Sequence, residues 1–323
     1  MTRPPKSLVA SCPDSEAFTL AELLVSISIL ALLIVLVARL TMSATATITA
    51  TGKHMDSDRT ARVVLEKLAL DMARMIKRDD IAYSFNKVPG NDSIAFFCQT
   101  PGFYELASDP TTKESSYDAS AGPPSYSRRR ANASLVAYVA APNTADASNI
   151  DLRRLSRGLV WADDYADTAP YNCVVFLPIQ IVGTPGVFAS ASKLYDAANK
   201  EFKLLSEQVF RFEYCFLLKD GTLSVNPWIA ASPYSHSSTT ISDIAAIVFT
   251  VAILDNTSRT VAGDMRNLAA SLPDAVDGKN IAAAWLNVVN GKDAANPFPP
   301  PNSPRIAASA VRVYQRYCYL ETK

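Results

Sequence analysis

The residue types that usually do chemistry are sparse in this chain, and their spacing suits none of the common catalytic designs. His54 and His236 are the two histidines. His54 follows Lys53 where a helical pattern begins, and His236 lies in the polar stretch Ser235-His236-Ser237-Ser238, so both read as exposed loop residues. A serine beside a histidine in sequence is no triad signal, because triads are assembled in space. G-x-S-x-G, Walker A and H-E-x-x-H patterns are all missing. Five cysteines occur, Cys12, Cys98, Cys173, Cys215 and Cys318, without a C-x-x-C and too far apart for a zinc ribbon. Cys98, Cys173, Cys215 and Cys318 are disulfide candidates with three possible pairings. The first three also sit in apolar runs, where a free thiol serves as a core residue. Asp163, Asp164 and Asp167 are the weak metal candidates. Ca²⁺ takes 6–8 oxygens, and three carboxylates in a solvated loop fall short of that. Asp79-Asp80 is a smaller case of the same kind. No cofactor is therefore expected, with Ca²⁺ the one ion to consider. Arg128-Arg129-Arg130 reads as a loop tip, and Arg153, Arg154 and Arg157 as positions along a strand. With 31 Lys+Arg against 31 Asp+Glu, the 323-residue chain lacks the basic excess that displaces counterions, so nucleic acid is not an expected partner.

One acid has an informative position. Glu22 lies five residues into Phe18–Leu40, and from Leu23 to Ala38 there is no charge, proline or glycine. Leu23, Leu24, Ile27, Leu30, Leu33, Ile34 and Leu36 make this stretch nearly long enough to cross about 30 Å of hydrocarbon, which takes about 20 helical residues. A carboxylate inside such a span costs a few kcal/mol and usually has a partner, unless it snorkels to the headgroups. Three fates of the segment are open, two of them from the residues alone. A signal anchor keeps everything, with Arg3 and Lys6 holding the N-terminus in the cytoplasm. A secretory signal peptide is cut at Ala44-Thr45-Ala46, which has the A-x-A form.

The third fate comes from a resemblance. Glu16-Ala17-Phe18-Thr19-Leu20-Ala21-Glu22-Leu23-Leu24 resembles the processing site of type IV prepilins and type II secretion pseudopilins. That site has a small residue, Phe-Thr-Leu-x-Glu, and then an unbroken apolar helix. This chain has Ala17 where the family usually has Gly. The resemblance implies that residues 1–17 are a leader, cut between Ala17 and Phe18 by a prepilin peptidase, with N-methylation of Phe18. It also implies that Glu22 pairs with the N-terminal amine of a neighbouring subunit, a register device of the kind best attested for buried ion pairs.

Beyond the span, Thr41–Gly52 is rich in Thr and reads as either a solvated continuation of the helix or a soft joint. Helical spacing returns from Lys53 to Arg78 through Ala61, Leu65, Leu68, Met72, Met75 and Ile76. Strands are expected at Ile94–Cys98, Leu135–Ala140, Asp151–Leu155, Cys173–Val182, Val209–Leu218 and Ile244–Leu254. In Val209–Phe216, Arg211 and Glu213 share one face and the aromatics the other. Ser108–Ala133 reads as a long loop. Thr260–Leu272 and Ile281–Val289 read as short helices, and Arg305–Leu320 as a third with apolar residues at helical spacing. The run Gln208–Leu218, Asp220-Gly221, Trp228 and Ile244–Leu254 is similar to the large minor pseudopilin called J. The ending Val311–Leu320 resembles the Verru_Chthon cassette protein C family, which is pilin-like.

The expected architecture is α+β. Residues 18–40 form a transmembrane segment and 41–78 continue its helix, which packs on a β-rich head, 79–258, followed by a helical extension, 259–323. The expected role is a non-enzymatic minor pilin or pseudopilin, in a type II secretion or type IV pilus-like assembly. It would sit in a bacterial inner membrane as a single-pass protein with a cytoplasmic N-terminus and periplasmic head, and enter a filament on assembly. Its partners would be the lipid bilayer, prepilin peptidase, an inner-membrane assembly platform and other pilin-like subunits. The alternatives are a DNA-uptake or adhesive minor pilin, and a membrane-anchored periplasmic enzyme.

Overall fold

The apolar run opens a helix that nothing in the sequence interrupts. In the computed structural model, which describes residues 19–77, 83–106, 127–143, 145–160, 174–175, 202–227, 243–300, 304 and 309–320, α1 spans Leu20–Ala73. Thr41–Gly52 therefore continues the helix. Thr41, Thr45, Thr47 and Thr49 each donate a hydroxyl to the carbonyl four residues back at 2.8–3.0 Å. Hydroxyls that elsewhere compete with helix formation are here satisfied by the helix itself. α1 stops five residues short of Arg78, where Met75 bridges to Cys98 and the Ile76 N–H donates to Phe97.

The chain divides into two compact units, Met1–Gly52 and Lys53–Lys323. In the first, every residue from Thr19 to Thr49 is exposed. The second is α+β, and its described strands form two mainly antiparallel sheets. Sheet one contains β1 (Ser84–Asn86), β2 (Ser93–Cys98), β3 (Gly102–Leu106), β4 (Ser127–Ala131), β5 (Ser134–Pro142), β6 (Ile150–Val160), β7 (Val174–Val175) and β8 (Lys203–Ser206). Its order is β1-β2-β5-β6-β3-β4, with β7 and β8 also on β6. Sheet two is β10-β9-β11-β12, made from β9 (Val209–Leu218), β10 (Leu223–Ser224), β11 (Ile244–Ile253) and β12 (Arg312–Tyr319).

Both faces of sheet one are covered at β2 and β5, which is why these two strands read as continuous apolar runs. Ile94, Phe96, Val136 and Tyr138 share a core with Ala61, Val64, Leu68 and Met72 of α1. Ala95, Phe97, Leu135, Ala137 and Leu155 form a second core with Phe202. Gly102 is required where β3 crosses β6: a Cβ there would come within 2.6 Å of Ser134 Cβ and 2.7 Å of the Gly158 nitrogen.

Three sequence expectations are corrected. Arg312–Tyr319 is not part of a helix but is β12, paired with β11 along its whole length. Val313, Tyr314 and Tyr317 satisfy a helical count, yet this octapeptide of Val, Tyr, Cys, Arg and Gln has no Ala or Leu and covers an otherwise open edge of β11. Residues 259–323 are thus not wholly helical. Thr260–Leu272 is two helices, α2 (Asn256–Ala262) and α3 (Met265–Ala270). Gly263 at φ 74° breaks the helix, and Asp264 restarts it by accepting from the Arg266 N–H at 2.9 Å. Arg128–Arg130 belongs to β4, paired with Phe103–Glu105 of β3, and not to a loop tip. By contrast, α4 (Ile281–Val289) falls where expected. Of Cys173–Val182, only β7 lies among the described residues.

Candidate functional site

The first unit has one polar feature at its start, built by two residues through three hydrogen bonds. Thr19 Oγ1 donates to Glu22 Oε2 at 2.9 Å, the Thr19 N–H donates to the same oxygen at 3.0 Å, and the Glu22 N–H donates to Thr19 Oγ1 at 3.3 Å. This is a reciprocal capping box, which Thr and Glu three residues apart are built to form. Ser26 and Ser28 return their hydroxyls to the carbonyls of Glu22 and Leu24 at 2.7 and 2.8 Å. Among the described residues 19–38, then, every side-chain polar group has an intrahelical partner.

The rest of the segment is apolar and open. Leu23, Leu24, Ile27, Leu30, Leu33, Ile34 and Leu36 are each 49–60% exposed. Burying such side chains from full exposure is worth about 1.5–3 kcal/mol each, so at about half exposure these seven alone forgo roughly 6–12 kcal/mol in water. The most apolar 18-residue window has a mean hydropathy of 2.8, and the helix is long and apolar enough to cross a membrane. Ala17 and Phe18, the expected cleavage pair, lie outside the described residues.

The second unit contains titratable clusters that the sequence did not single out. Asp71 of α1 is fully buried and accepts from Tyr138 Oη and from Arg154 Nε at 2.7 Å, with Lys67 Nζ at 3.5 Å. Burial, then the charge of Asp71, pushes the Tyr138 phenol well above its usual range. These groups hold the last turns of α1 on β5 and β6. Two further ties join α1 to sheet two: Gln208 Nε2 donates to Asp56 at 2.6 Å, and Tyr314 Oη donates to Asp58 at 2.5 Å. His54 is on α1, not in a loop, and is exposed, with Arg312 Nε donating to its Nδ1 at 3.0 Å.

A second cluster surrounds β9. The alternation read from sequence holds, with Phe210, Phe212, Tyr214 and Phe216 on one face and Arg211 and Glu213 on the other. Both faces are buried, and Arg211 and Glu213 are each 1% exposed. Glu213 Oε1 accepts from Arg211 Nη2 at 2.8 Å, and the Arg211 guanidinium lies 5.9 Å from the Trp285 ring. Burial, reinforced by the negative charge of Asp92, pushes the Glu213 carboxyl up to about 8.

Cys98, Cys215 and Cys318 are free, buried thiols. Cys215 stands opposite Val248 and Cys318 opposite Ile247, which are adjacent positions on β11. The two therefore lie on opposite faces of sheet two, and Cys98 belongs to sheet one. The disulfides allowed by sequence do not form among these three, and Cys173 lies outside the described residues. Burial pushes the Cys215 and Cys318 thiols up to about 11, so neither is a ready nucleophile. Asp79, Asp80, Asp163, Asp164, Asp167 and His236 also lie outside the described residues, within which no group of three His, Cys, Asp or Glu side chains is placed to hold a metal.

Two open clefts of about 450 and 400 Å³ are lined by described residues. One runs along α4 past Asn280, Asn287, Lys292 and Asp293. The other lies between α1 and β8, past Asp56, Arg59, Val63, Leu204 and Gln208. Neither lining includes a histidine, a cysteine or the buried clusters. Of the features expected from sequence, the structure shows the exposed apolar helix, long enough to cross a membrane, with Glu22 capped by Thr19. The buried clusters had no comparable signal, because partners such as Asp71 and Arg154 are 83 residues apart. No family model, curated protein or solved structure matches the chain.

Proposed function

We propose that the chain is a structural subunit of a pilin-like assembly, a minor pilin or pseudopilin of a type II secretion or type IV pilus-like machine. In this reading it is anchored in a bacterial inner membrane by Leu20–Leu40, with the second unit on the periplasmic side, and it is not an enzyme. One observation carries the proposal: an uncharged, exposed stretch of helix follows directly on Phe18-Thr19-Leu20-Ala21-Glu22. Lipid first and neighbouring subunits later supply the burial that those side chains lack. A prepilin peptidase and an inner-membrane platform are the partners that such a route requires.

The capping box favours a second reading. Glu22 has a task inside its own chain, so a plain membrane anchor accounts for it without any neighbour. Two substitutions separate these readings, because a capping box accepts Gln as well as Glu. Glu22→Gln keeps the cap and removes the charge. If the acid pairs with a neighbouring amine, Glu22→Gln and Glu22→Ala both insert in the membrane normally and are both depleted from sheared filaments or tip complexes. Wild-type recovery of the Gln variant with loss of the Ala variant assigns Glu22 to the cap alone.

A further inference from the structure

The strand β9 has one edge on β11; on its other edge β10 pairs with Phe216 and Leu217, and Asn91 and Asp92 close the stretch before them. Asn91 Nδ2 donates to Phe210 O at 3.3 Å, and Asn91 Oδ1 accepts from the Phe212 N–H at 2.8 Å. The Asp92 N–H donates to Phe212 O at 3.0 Å, and Asp92 Oδ2 accepts from the Tyr214 N–H at 3.2 Å. Four backbone groups that a further strand would pair are thus satisfied by a loop, one of the ways in which an edge is protected.

That loop is held by the charge cluster. Lys87 Nζ pairs with Asp92, donates to Tyr214 O at 2.5 Å and lies 3.7 Å from Glu213 Oε2. Arg211 Nη2 lies 2.5 Å from Asp274 Oδ1, which also accepts from the Gly90 N–H at 3.0 Å. Glu213 Oε2 accepts from the Ala275 N–H at 2.9 Å, and Glu213 Oε1 and Asp274 Oδ1 both contact Arg211 Nη2, at 2.8 and 2.5 Å, which brings the two carboxyls together. The cluster therefore ties three segments together: β9, the 87–92 loop, and the connection between α3 and α4.

Its charges do not balance. β9 supplies Arg211 and Glu213, the loop supplies Lys87 and Asp92, and the α3–α4 connection supplies Asp274. α4 contributes only the Trp285 ring, and β11 places uncharged Thr250 opposite Glu213. Cys215, the remaining titratable neighbour, stays a neutral thiol. Two cations thus face three carboxylates, and Asp92, Arg211 and Glu213 are each 1% exposed. Asp274 is half-exposed, and with all three carboxylates ionised the buried Glu213 faces two other negative charges, a surplus that one proton held in the cluster removes.

We propose that Lys87, Asp92, Arg211, Glu213 and Asp274 form a proton-gated clasp over this edge of β9, closed while one proton sits between Glu213 and Asp274 and loosened when that proton leaves. The Glu213 hydroxyl donates to the Asp274 carboxylate in the closed state. When the proton passes to solvent, two carboxylates face each other and the tie from Asp274 to Gly90 weakens. Asn91 and Asp92 then leave β9, whose edge becomes available. The raised pKa of Glu213 sets the window at neutral to mildly alkaline pH. The clasp lies wholly within the second unit and does not depend on the membrane reading.

Amide hydrogen exchange on the full chain in detergent at pH 6.5 and 9.0, corrected for the intrinsic base-catalysed rate, tests this. Protection of the Phe212 and Tyr214 amides should fall at least tenfold at the higher pH, while that of β5 stays constant. Glu213→Gln should retain protection at both pH values. Asp274→Asn, at a half-exposed position that tolerates change more easily, should do the same, because it restores a balance of two charges of each sign. An unchanged wild-type protection factor, or a wild-type pH response in either variant, overturns the clasp.

Discussion

The two units break the ordinary partition of polar and apolar residues in opposite directions. From Leu20 to Leu40, α1 holds a row of Leu, Ile and Val side chains in the open, and its one acid is tied to Thr19. Around β9 and the end of α1, the second unit buries Asp71, Asp92, Arg211 and Glu213 almost completely. The buried charges have their partners within the unit, at distances that account for their placement. The exposed apolar side chains have none within theirs. Such a difference separates features that the fold explains from a feature that only an environment explains. The acids and bases of the core tie segments of the second unit together, whereas nothing in the first unit accounts for the open helix.

The comparison can be broken most decisively at the open helix. Leu33→Arg places a charge near the middle of the span at about 2.5–3.5 kcal/mol, which should shift the insertion equilibrium constant by roughly two orders of magnitude. Unaltered fractionation would mean that Leu20–Leu40 does not lie in lipid. In the second unit, Arg211→Ala leaves Glu213 buried without its nearest cation and should cost about 3–5 kcal/mol in urea unfolding. A loss below about 1 kcal/mol would show that the cluster is solvated rather than buried. Leu68→Ala, in the half of α1 that packs on sheet one, should cost about 2–5 kcal/mol. The same change at Leu33 should cost the second unit nothing. Asp264→Ala removes the cap of α3 and should cost about 0.5–2 kcal/mol by the same assay.

The pH dependence sharpens the contrast further. The folded-state pKa of Glu213 is raised from 4.5 to about 8, so the folded chain keeps a proton that the unfolded chain has released. Its contribution to stability is complete below about pH 4.5 and is lost as pH rises through about 8. Urea midpoints should therefore fall between pH 6 and 9 in the wild type and stay level in Glu213→Gln. A wild-type midpoint that rises over that interval would reverse the assignment.

What the sequence made legible follows from the range of the interactions involved. β9 was readable to the residue because Val209–Leu218 alternates and ends at Asp220-Gly221, where Gly221 takes φ 85° and Asp220 accepts from the Thr222 N–H at 2.9 Å. α4 was readable because Asn280 caps it and Gly291 closes it, both local signals. The capping box is equally local, Thr19 standing three residues before Glu22. β12 was misread because its identity depends on pairing with β11, about 60 residues earlier, and not on its own periodicity. The charge clusters were illegible for the same reason. Asp71 finds Tyr138 and Arg154, and Glu213 finds Lys87 and Ala275, only after the sheets have formed.

The most direct test is the N-terminus of the mature protein, read by mass spectrometry from chain extracted from membranes. A pilin-like subunit begins at Phe18, with that residue N-methylated, and retains Leu20–Leu40. An intact Met1 would make the chain a plain anchor, and a terminus after Ala46 would make it a secreted protein. Either of those results would contradict the proposed function.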